Sequence, residues 1–569
     1  SGPRVKILKN GMVNRDVSGL GVDHLNDVDL NDISQLEIVK GPSSLLYANG
    51  TIGGIINVVD ECISAINYEL PELKVGYETQ SVNDGDSKNI NYKSNIGGFN
   101  INFGHNKIDF GNYDVPFGAI LHDEDHDEHD EHDEHDGHEE DEHHEEDMGF
   151  INNSDYAVEA TKFGISKVGD WGYVGISVDN LESVYGIPFH GDEHGDEHGD
   201  DHEDHEDEEE HEEHGDERIF STTDSESTTI KGSYNVNGNI VNNIDFTFRN
   251  SDYTLTEAHE EEEGHDDHGD EEEEHAPTVF ANEAIEYGAI FDISNENLSQ
   301  KVAINFVDED NSIVGEEAFM NPANSEEFTI GYYASKDFGS FNMDMGIRVD
   351  QIERTGSVTD EDHGDVDQYN IDDSTNSFAL SIGRNLNDNL NLNVGFASVE
   401  RLPSVIELFM NGPHMATGRF EVGDPNLNSE TSENFDISLN YENDGFYAYA
   451  SFFITDVDNY IALIDEEEDH HMDEDEHHED EEDHHEGEDE HHDEDDHDEH
   501  EHGHGNLIHA NYVQEDAEFD GYEFEFGKAF EMNSGILDLS FGRDVVNAEF
   551  SDGHYVARIN PSRNIYSMS

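Results

Sequence analysis

The chain has 569 residues, with 140 Asp and Glu against 25 Lys and Arg and a formal net charge of -115. That acidity excludes nucleic acid as a partner, because a phosphate backbone needs Lys and Arg to replace its counterions. A single cysteine, Cys62, excludes a disulfide framework and a Cys-rich zinc fold, and no window holds the ~18–20 apolar residues of a spanning helix.

Residues 1–9 read as mid-domain sequence and not as a signal peptide. A short strand is predicted over 5–8 and another over 33–39, followed by a turn at Gly41-Pro42-Ser43. Gly53-Gly54 permits close backbone approach before a further strand ending near Val58. Cys62 is expected to pack as a small apolar residue.

From about residue 66 the pattern has period two, the mark of strands with two different faces. Phe341, Met343, Met345, Ile347 and Val349 alternate with Asn342, Asp344, Gly346 and Arg348, and Tyr522, Phe524 and Phe526 alternate with Glu523 and Glu525. A longer, more aromatic strand covers 446–454. A soluble sandwich would hide the apolar face, whereas a membrane barrel would turn it to lipid. Short hairpin signals recur at Gly169-Asp170, Asn237-Gly238-Asn239, Asp337-Phe338-Gly339-Ser340, Asn387-Asp388-Asn389, Asn443-Asp444-Gly445 and Asn533-Ser534-Gly535. They alternate with long connections. A meander in which every second connection is long puts all the long ones at one end, as in outer-membrane barrels. About 17–18 strands are counted, and single-chain barrels close with even numbers.

Of the 37 histidines, 31 fall in four segments, 122–147, 190–217, 257–275 and 465–504, which also hold 71 acids and no Lys or Arg. Such runs repel themselves and cannot bury a core, so they are expected to be disordered loops on the long-connection side. His126, His129, His132, His135 and His138 recur every three residues, and His190, His194, His198 and His202 every four. The pairs His470-His471, His477-His478, His484-His485 and His491-His492 recur every seven. Acid alone would solvate a loop. Histidine adds a nitrogen ligand for zinc, copper or nickel, and the unequal spacings point to many weak, exchangeable sites.

The stretch QLEIVKGPSSLLYANGTIGGIINVV (35–59) resembles the plug domain of TonB-dependent outer-membrane receptors. The stretch RLPSVIELFMNGPHMATGRFEVGDPNLNSETSENFDISLNYE (401–442) resembles the same receptors where an Arg-X-Pro-Ser box precedes a Pro-Asn-Leu box. Asn-Gly-Pro-His between those boxes is similar to the zinc-uptake branch, as are 315–319, the strand 514–523, and Tyr113-Asp114-Val115-Pro116 and Tyr185-Gly186-Ile187-Pro188 before two runs. The resemblance implies a membrane all-β fold: an antiparallel transmembrane barrel of about 22 strands around an N-terminal α+β plug. Residues 1–65 would be a partial plug and 66–569 the barrel. Without a signal peptide, a TonB box or the last strands, the chain is expected to be a fragment at both ends.

The resemblance also implies a site. Asp23-His24 matches a metal-binding pair at the plug apex, and His414 lies in a loop that folds inward. Glu316 and Glu317 offer a carboxylate, so Asp23, His24, one glutamate and His414 would make four N/O ligands for tetrahedral zinc. The expected role is transport and not catalysis: a monomeric receptor in outer-membrane lipid, energised by TonB, with Zn2+ as cargo, no organic cofactor, runs outside, and plug and short turns facing the periplasm. Two rivals stand. One is a haem or metallophore receptor with His414 as an axial ligand. The other is a surface metal buffer that imports nothing.

Overall fold

The computed structural model of the chain describes residues 4–20, 24–116, 149–188, 218–260, 276–315, 318–359, 364–414, 417–466, 507–532, 535–557 and 559–569. The N-terminal part is a four-stranded sheet of β1 (Val5–Lys9), β2 (Met12–Val13), β3 (Ile33–Val39) and β4 (Gly54–Asp60), ordered β2-β1-β4-β3. β1 turns into β2 through Asn10-Gly11, both at positive φ (55° and 86°), the geometry that matches the strand twist in a two-residue hairpin. β1 runs parallel to β4, and β3 antiparallel to it. Leu8, Ala48 and Ile55 form the small core, closed by Val13, Val39 and Tyr47. Among the described residues, the plug's only helical element is the single 3-10 turn Ser44–Leu46, so its α+β character is slight.

Among the described residues the rest is a closed barrel of twenty strands, eighteen in an antiparallel meander plus the two short strands Asn411–His414 and Arg419–Val422, the order closing with the last strand beside the first. Pairing passes from strand to strand from the first, Glu72–Gln80, to the last, Arg563–Met568, with register shifts at Asn385/Asn387 and Val457/Tyr460. Ile347 and Val349 are exposed on the outside, while the alternate residues Arg348 and Asp350 are 2% and 1% exposed inside. The same inversion recurs around the wall, with Phe163, Ile285, Phe306, Phe328 and Phe452 exposed and Asn102, Ser221, Thr223 and Asn282 buried. An apolar exterior around a polar lumen is the arrangement that a bilayer stabilises and water does not.

The four His-rich runs join strand ends of one rim, since they follow strands ending at Phe110, Gly186, Glu260 and Asp465 in the same meander. The periodically spaced histidines of these runs lie outside the described residues. Two boundaries change: 257–260 belongs to the wall strand Asn243–Glu260, paired with Arg218–Asn235, with Glu257 buried, and Asp465 ends the wall strand Phe446–Asp465. The ladder hydrogen bonds of that pair outweigh the charge of the segment.

The plug fills the lumen and is stapled to the wall by charge. Lys9 pairs with Asp179 at 2.8 Å, Arg15 with Glu309 at 2.7 Å, and Arg4 with Glu430 at 2.5 Å. Wall glycines make room for its backbone: a Cβ on Gly164 would lie 2.0 Å from the Cys62 carbonyl oxygen. Lys6, on β1, is enclosed between plug and wall. Burial outweighs the attraction of Glu327 and pushes its ammonium down to about 8, with Glu309 attracting and Arg15 and Arg401 repelling it. A lysine lowered in the folded state binds fewer protons folded than unfolded between pH 8 and about 10.5. Plug stability should therefore rise with pH across that window, by at most about tenfold per pH unit, and the gain is lost as pH falls back through 8. Lys6→Met should abolish this slope in urea unfolding of the plug measured at pH 7.5, 8.5 and 9.5; an unchanged slope contradicts the assignment.

Candidate metal site between plug and barrel

Between β2 and β3 the plug chain descends along the inner wall, and its carboxylates mark the depth. Asp27 accepts hydrogen bonds from the hydroxyls of Tyr253 (2.5 Å), Thr223 (3.2 Å) and Ser183 (3.4 Å), and burial pushes its carboxyl up. Asp29 lies 3.5 Å from Lys162. Asp32 pairs with Lys93 at 2.9 Å and Lys74 at 3.0 Å. Burial would raise the Asp32 carboxyl, but the two lysines outweigh it and hold it below the usual range. This descent leaves His24 at the top, 5% exposed.

His24 meets the wall at Phe280, edge to face, with ring centres 4.6 Å apart at 70°. Phe280 is an inward residue of the strand Thr278–Asp292, near the rim where the long connections begin. From the other side comes the connection 402–429. It opens with the short helix Val405–Phe409, whose Glu407 side chain accepts from both the backbone N–H and the hydroxyl of Ser404. Leu408, Phe409 and Met410 bury themselves against the apolar layer of Leu20, Leu255, Phe280 and Phe319. The chain then forms the strand Asn411–His414, paired with Arg419–Val422. Period two turns Gly412 and His414 inward. Gly412 is needed there, since a Cβ would sit 2.8 Å from the Phe319 Cα.

His414 is 4% exposed, and its ring lies 4.6 Å from Phe319 and 6.5 Å from His24, centre to centre. The predicted plug and barrel histidines are thus brought together. A third residue joins them that sequence reasoning missed. Glu421, also buried, places Oε1 3.2 Å from His414 Nδ1 and accepts the Thr417 hydroxyl at 2.9 Å. A carboxylate accepting at Nδ1 puts the ring proton there and leaves Nε2 as the lone-pair nitrogen, the usual way a metal-binding histidine is oriented. Asp23, Glu316 and Glu317 lie outside the described residues. Among the described residues no three His, Cys, Asp or Glu side chains are assembled closely enough to hold a metal ion together. Cys62 is buried at the plug exit, where burial pushes its thiol up.

What this pair can do follows from distance. With Zn–N about 2.1 Å, two imidazoles on one tetrahedral ion have centres roughly 5–5.5 Å apart. The observed 6.5 Å needs closure by about 1 Å. Glu421→Gln should lower the affinity of a metal bound at His414 by about ten- to hundredfold, because the amide no longer fixes the ring; isothermal titration reads this, and unchanged affinity would exclude an orienting role.

Comparison with known proteins agrees with this architecture. Residues 210–563 match the TonB dependent receptor-like β-barrel family and residues 1–55 the TonB-dependent receptor plug domain. Over 65 residues the chain is 38% identical to a hemin receptor of Yersinia enterocolitica, a match spanning 11% of this chain and 9% of that receptor. Among solved structures it is similar to the copper transporter OprC, with a TM-score of 0.69 and 11% identity over 99% of this chain and 74% of that one. A double mutant of the Serratia marcescens hemophore receptor HasR, solved with its hemophore HasA and heme, gives 0.65 and 13% over 97% and 76%. The FrpB iron transporter from Neisseria meningitidis gives 0.62 and 13% over 97% and 74%. At these identities the likeness is one of fold. The barrel and plug matches together cover most of the chain, which belongs to the TonB-dependent receptor family, outer-membrane transporters and not enzymes.

Proposed function

We propose that this receptor imports a divalent transition metal ion, Zn2+ in the first instance, through a site closed by His24 of the plug and His414 of the barrel. The observation that carries the reading is the meeting of these two buried imidazoles, with Glu421 orienting one of them. Each comes from a different domain, so a movement of the plug separates the ligands and releases the ion. Asp23, adjacent to His24, supplies a further oxygen ligand, with Glu316 or Glu317 as another. The four runs gather dilute metal outside the cell by many weak contacts at high local concentration, and TonB supplies the pull on the plug. The receptor works as a monomer in outer-membrane lipid.

A second reading has its own support. Two imidazoles on opposite sides of one haem iron sit roughly 6–6.5 Å apart centre to centre, close to the observed 6.5 Å, and a hemin receptor and a heme-bound receptor are among the similar proteins. Against it, Phe280 and Phe319 stand 5.8 Å apart beside the pair, and both are buried. A haem plane between the histidines has to displace them. Titration of the full chain with zinc and with haem separates the readings. Zinc binding lost in His24→Ala/His414→Ala, with no Soret band at equimolar haem, supports ion import. A low-spin Soret band that vanishes in His414→Ala moves the assignment to haem. Zinc held only by the runs leaves a surface buffer.

A further inference from the structure

Directly beneath the histidine pair the lumen changes character. The inward residues of two neighbouring wall strands pair as Phe280 with Ile313, then Asn282 with Asn311, then Ala284 with Glu309. One such step is about 6.6 Å of strand. The apolar layer thus gives way to a cavity of about 160 Å³ of mixed lining, where Asn282, Glu309, Ser325, Arg348 and Arg354 of the wall meet Arg15 of the plug.

The wall side of this cavity is rich in oxygens that lack protein donors. Asn282 Nδ2 donates to Glu309 Oε1 at 2.8 Å and to Asn311 Oδ1 at 2.9 Å. Two acceptors around the nitrogen fix which way the amide points. Its Oδ1 then takes no hydrogen bond from any protein group, and neither does Ser325 Oγ, although both residues are 2% exposed. Two steps below Asn282, Glu286 accepts from Asn305 through Oε1 at 3.0 Å, while Oε2 takes no hydrogen bond and its charge is met by Arg249 and Arg15. Glu309 is paired, but with a cation that belongs to the plug: Arg15 Nη1 sits 2.7 Å from its Oε2. Take the plug away, and this stretch of wall presents the Glu309 carboxylate, an amide oxygen and a hydroxyl, with Glu286 further down opposite Arg249 of the next strand.

We propose that Asn282, Glu309 and Ser325 form a second, oxygen-only station for a divalent cation below the histidine pair, capped by Arg15 while the plug is seated. The proposal rests on the metal-ion reading above and gives the ion a next step. The donors are hard oxygens, which hold a partly hydrated divalent ion more loosely than imidazoles hold zinc. An anion does not suit them, because acceptor oxygens and a carboxylate repel it. Arg15 supplies the positive charge that the cargo would bring. It lies in the plug segment between β2 and His24, so one displacement parts the histidines and uncovers Glu309 together. The ion is then drawn downward as its upper ligands separate.

Manganese tests this, since it prefers oxygen donors and scatters anomalously. Crystals of the full chain soaked in Mn2+ should show no anomalous peak in the cavity. Arg15→Gln should show one peak bonded to Glu309 and to Asn282 or Ser325. Arg15→Lys, which keeps the charge, and Arg15→Gln/Glu309→Gln should show none. A peak in the unaltered chain, no peak in Arg15→Gln, or a peak that survives Glu309→Gln overturns the station. A second measurement does not depend on crystals of the variant. Glu309→Gln alone should slow zinc uptake by about tenfold while leaving zinc affinity at the histidine pair unchanged, and an unchanged rate counts against the proposal. Loss of the histidine site with the manganese peak retained would sink the reading of the upper site and leave this one standing.

Discussion

Glu430→Gln is expected to loosen the plug by about 3–5 kcal/mol, the cost of stranding buried charge when one partner of an ion pair is removed. Glu430 is fully buried. It receives both Nε and Nη2 of Arg4, at 2.7 and 2.5 Å, Nη2 of Arg401 at 2.8 Å, and the backbone N–H of Ile461 at 3.2 Å. Arg401 in turn clamps Glu407 at 2.7 and 3.1 Å. One wall carboxylate therefore joins β1 of the plug to the base of the loop that carries His414. Its amide would leave two guanidiniums facing the single charge of Glu407. Arg4 keeps only its stacking on Tyr460, 3.8 Å from the ring centre, and its bond to the Ile461 carbonyl. Hydrogen exchange of β1 and β4 is the direct readout, because the barrel stays folded while the plug opens. A loss below about 1 kcal/mol would mean that the network is not what seats the plug.

The second large effect is on metal. His24→Ala or His414→Ala should each weaken zinc binding at this site by at least about a hundredfold, since either change removes a nitrogen ligand that no neighbour replaces. The two changes together should cost little more than one. Neither imidazole alone makes a tight site, so the pair behaves as a unit and the energies do not add. Additive losses would place the two histidines on separate ions. Titration in the presence of a chelator of intermediate affinity isolates this site from the weak background of the runs.

Much of the fold was legible because a barrel wall obeys a simple rule. The alternation at 341–349 predicted a strand, and its apolar face proved to be the outside. The strand at 33–39 matches β3 to the residue. The long strands were underestimated: 514–523 is the middle of Ile508–Met532, because edge residues beyond the bilayer lose the apolar half of the pattern. β2 was missed, although Asn10-Gly11 is a strong hairpin signal, since two residues are too few to show a period. Period two also says which face a residue takes but not whom it meets. His414 was read as a loop residue that folds inward, and it does so at the end of a short strand. Glu421 gave no signal at all. It reaches His414 only because the chain doubles back between the two, and a glutamate in an acidic sequence stands out in nothing. The same holds for Asn282 and Ser325, whose meaning lies in partners they lack.

On the proposed reading, one metal ion is held jointly by plug and barrel. Diffraction at the zinc absorption edge, from crystals of the full chain grown with one equivalent of zinc, tests it most directly. An anomalous peak is expected between His24 and His414, within bonding distance of both rings, with their centres drawn in from 6.5 Å by about 1 Å. A peak on neither ring, with the zinc spread over the His-rich runs, would contradict it.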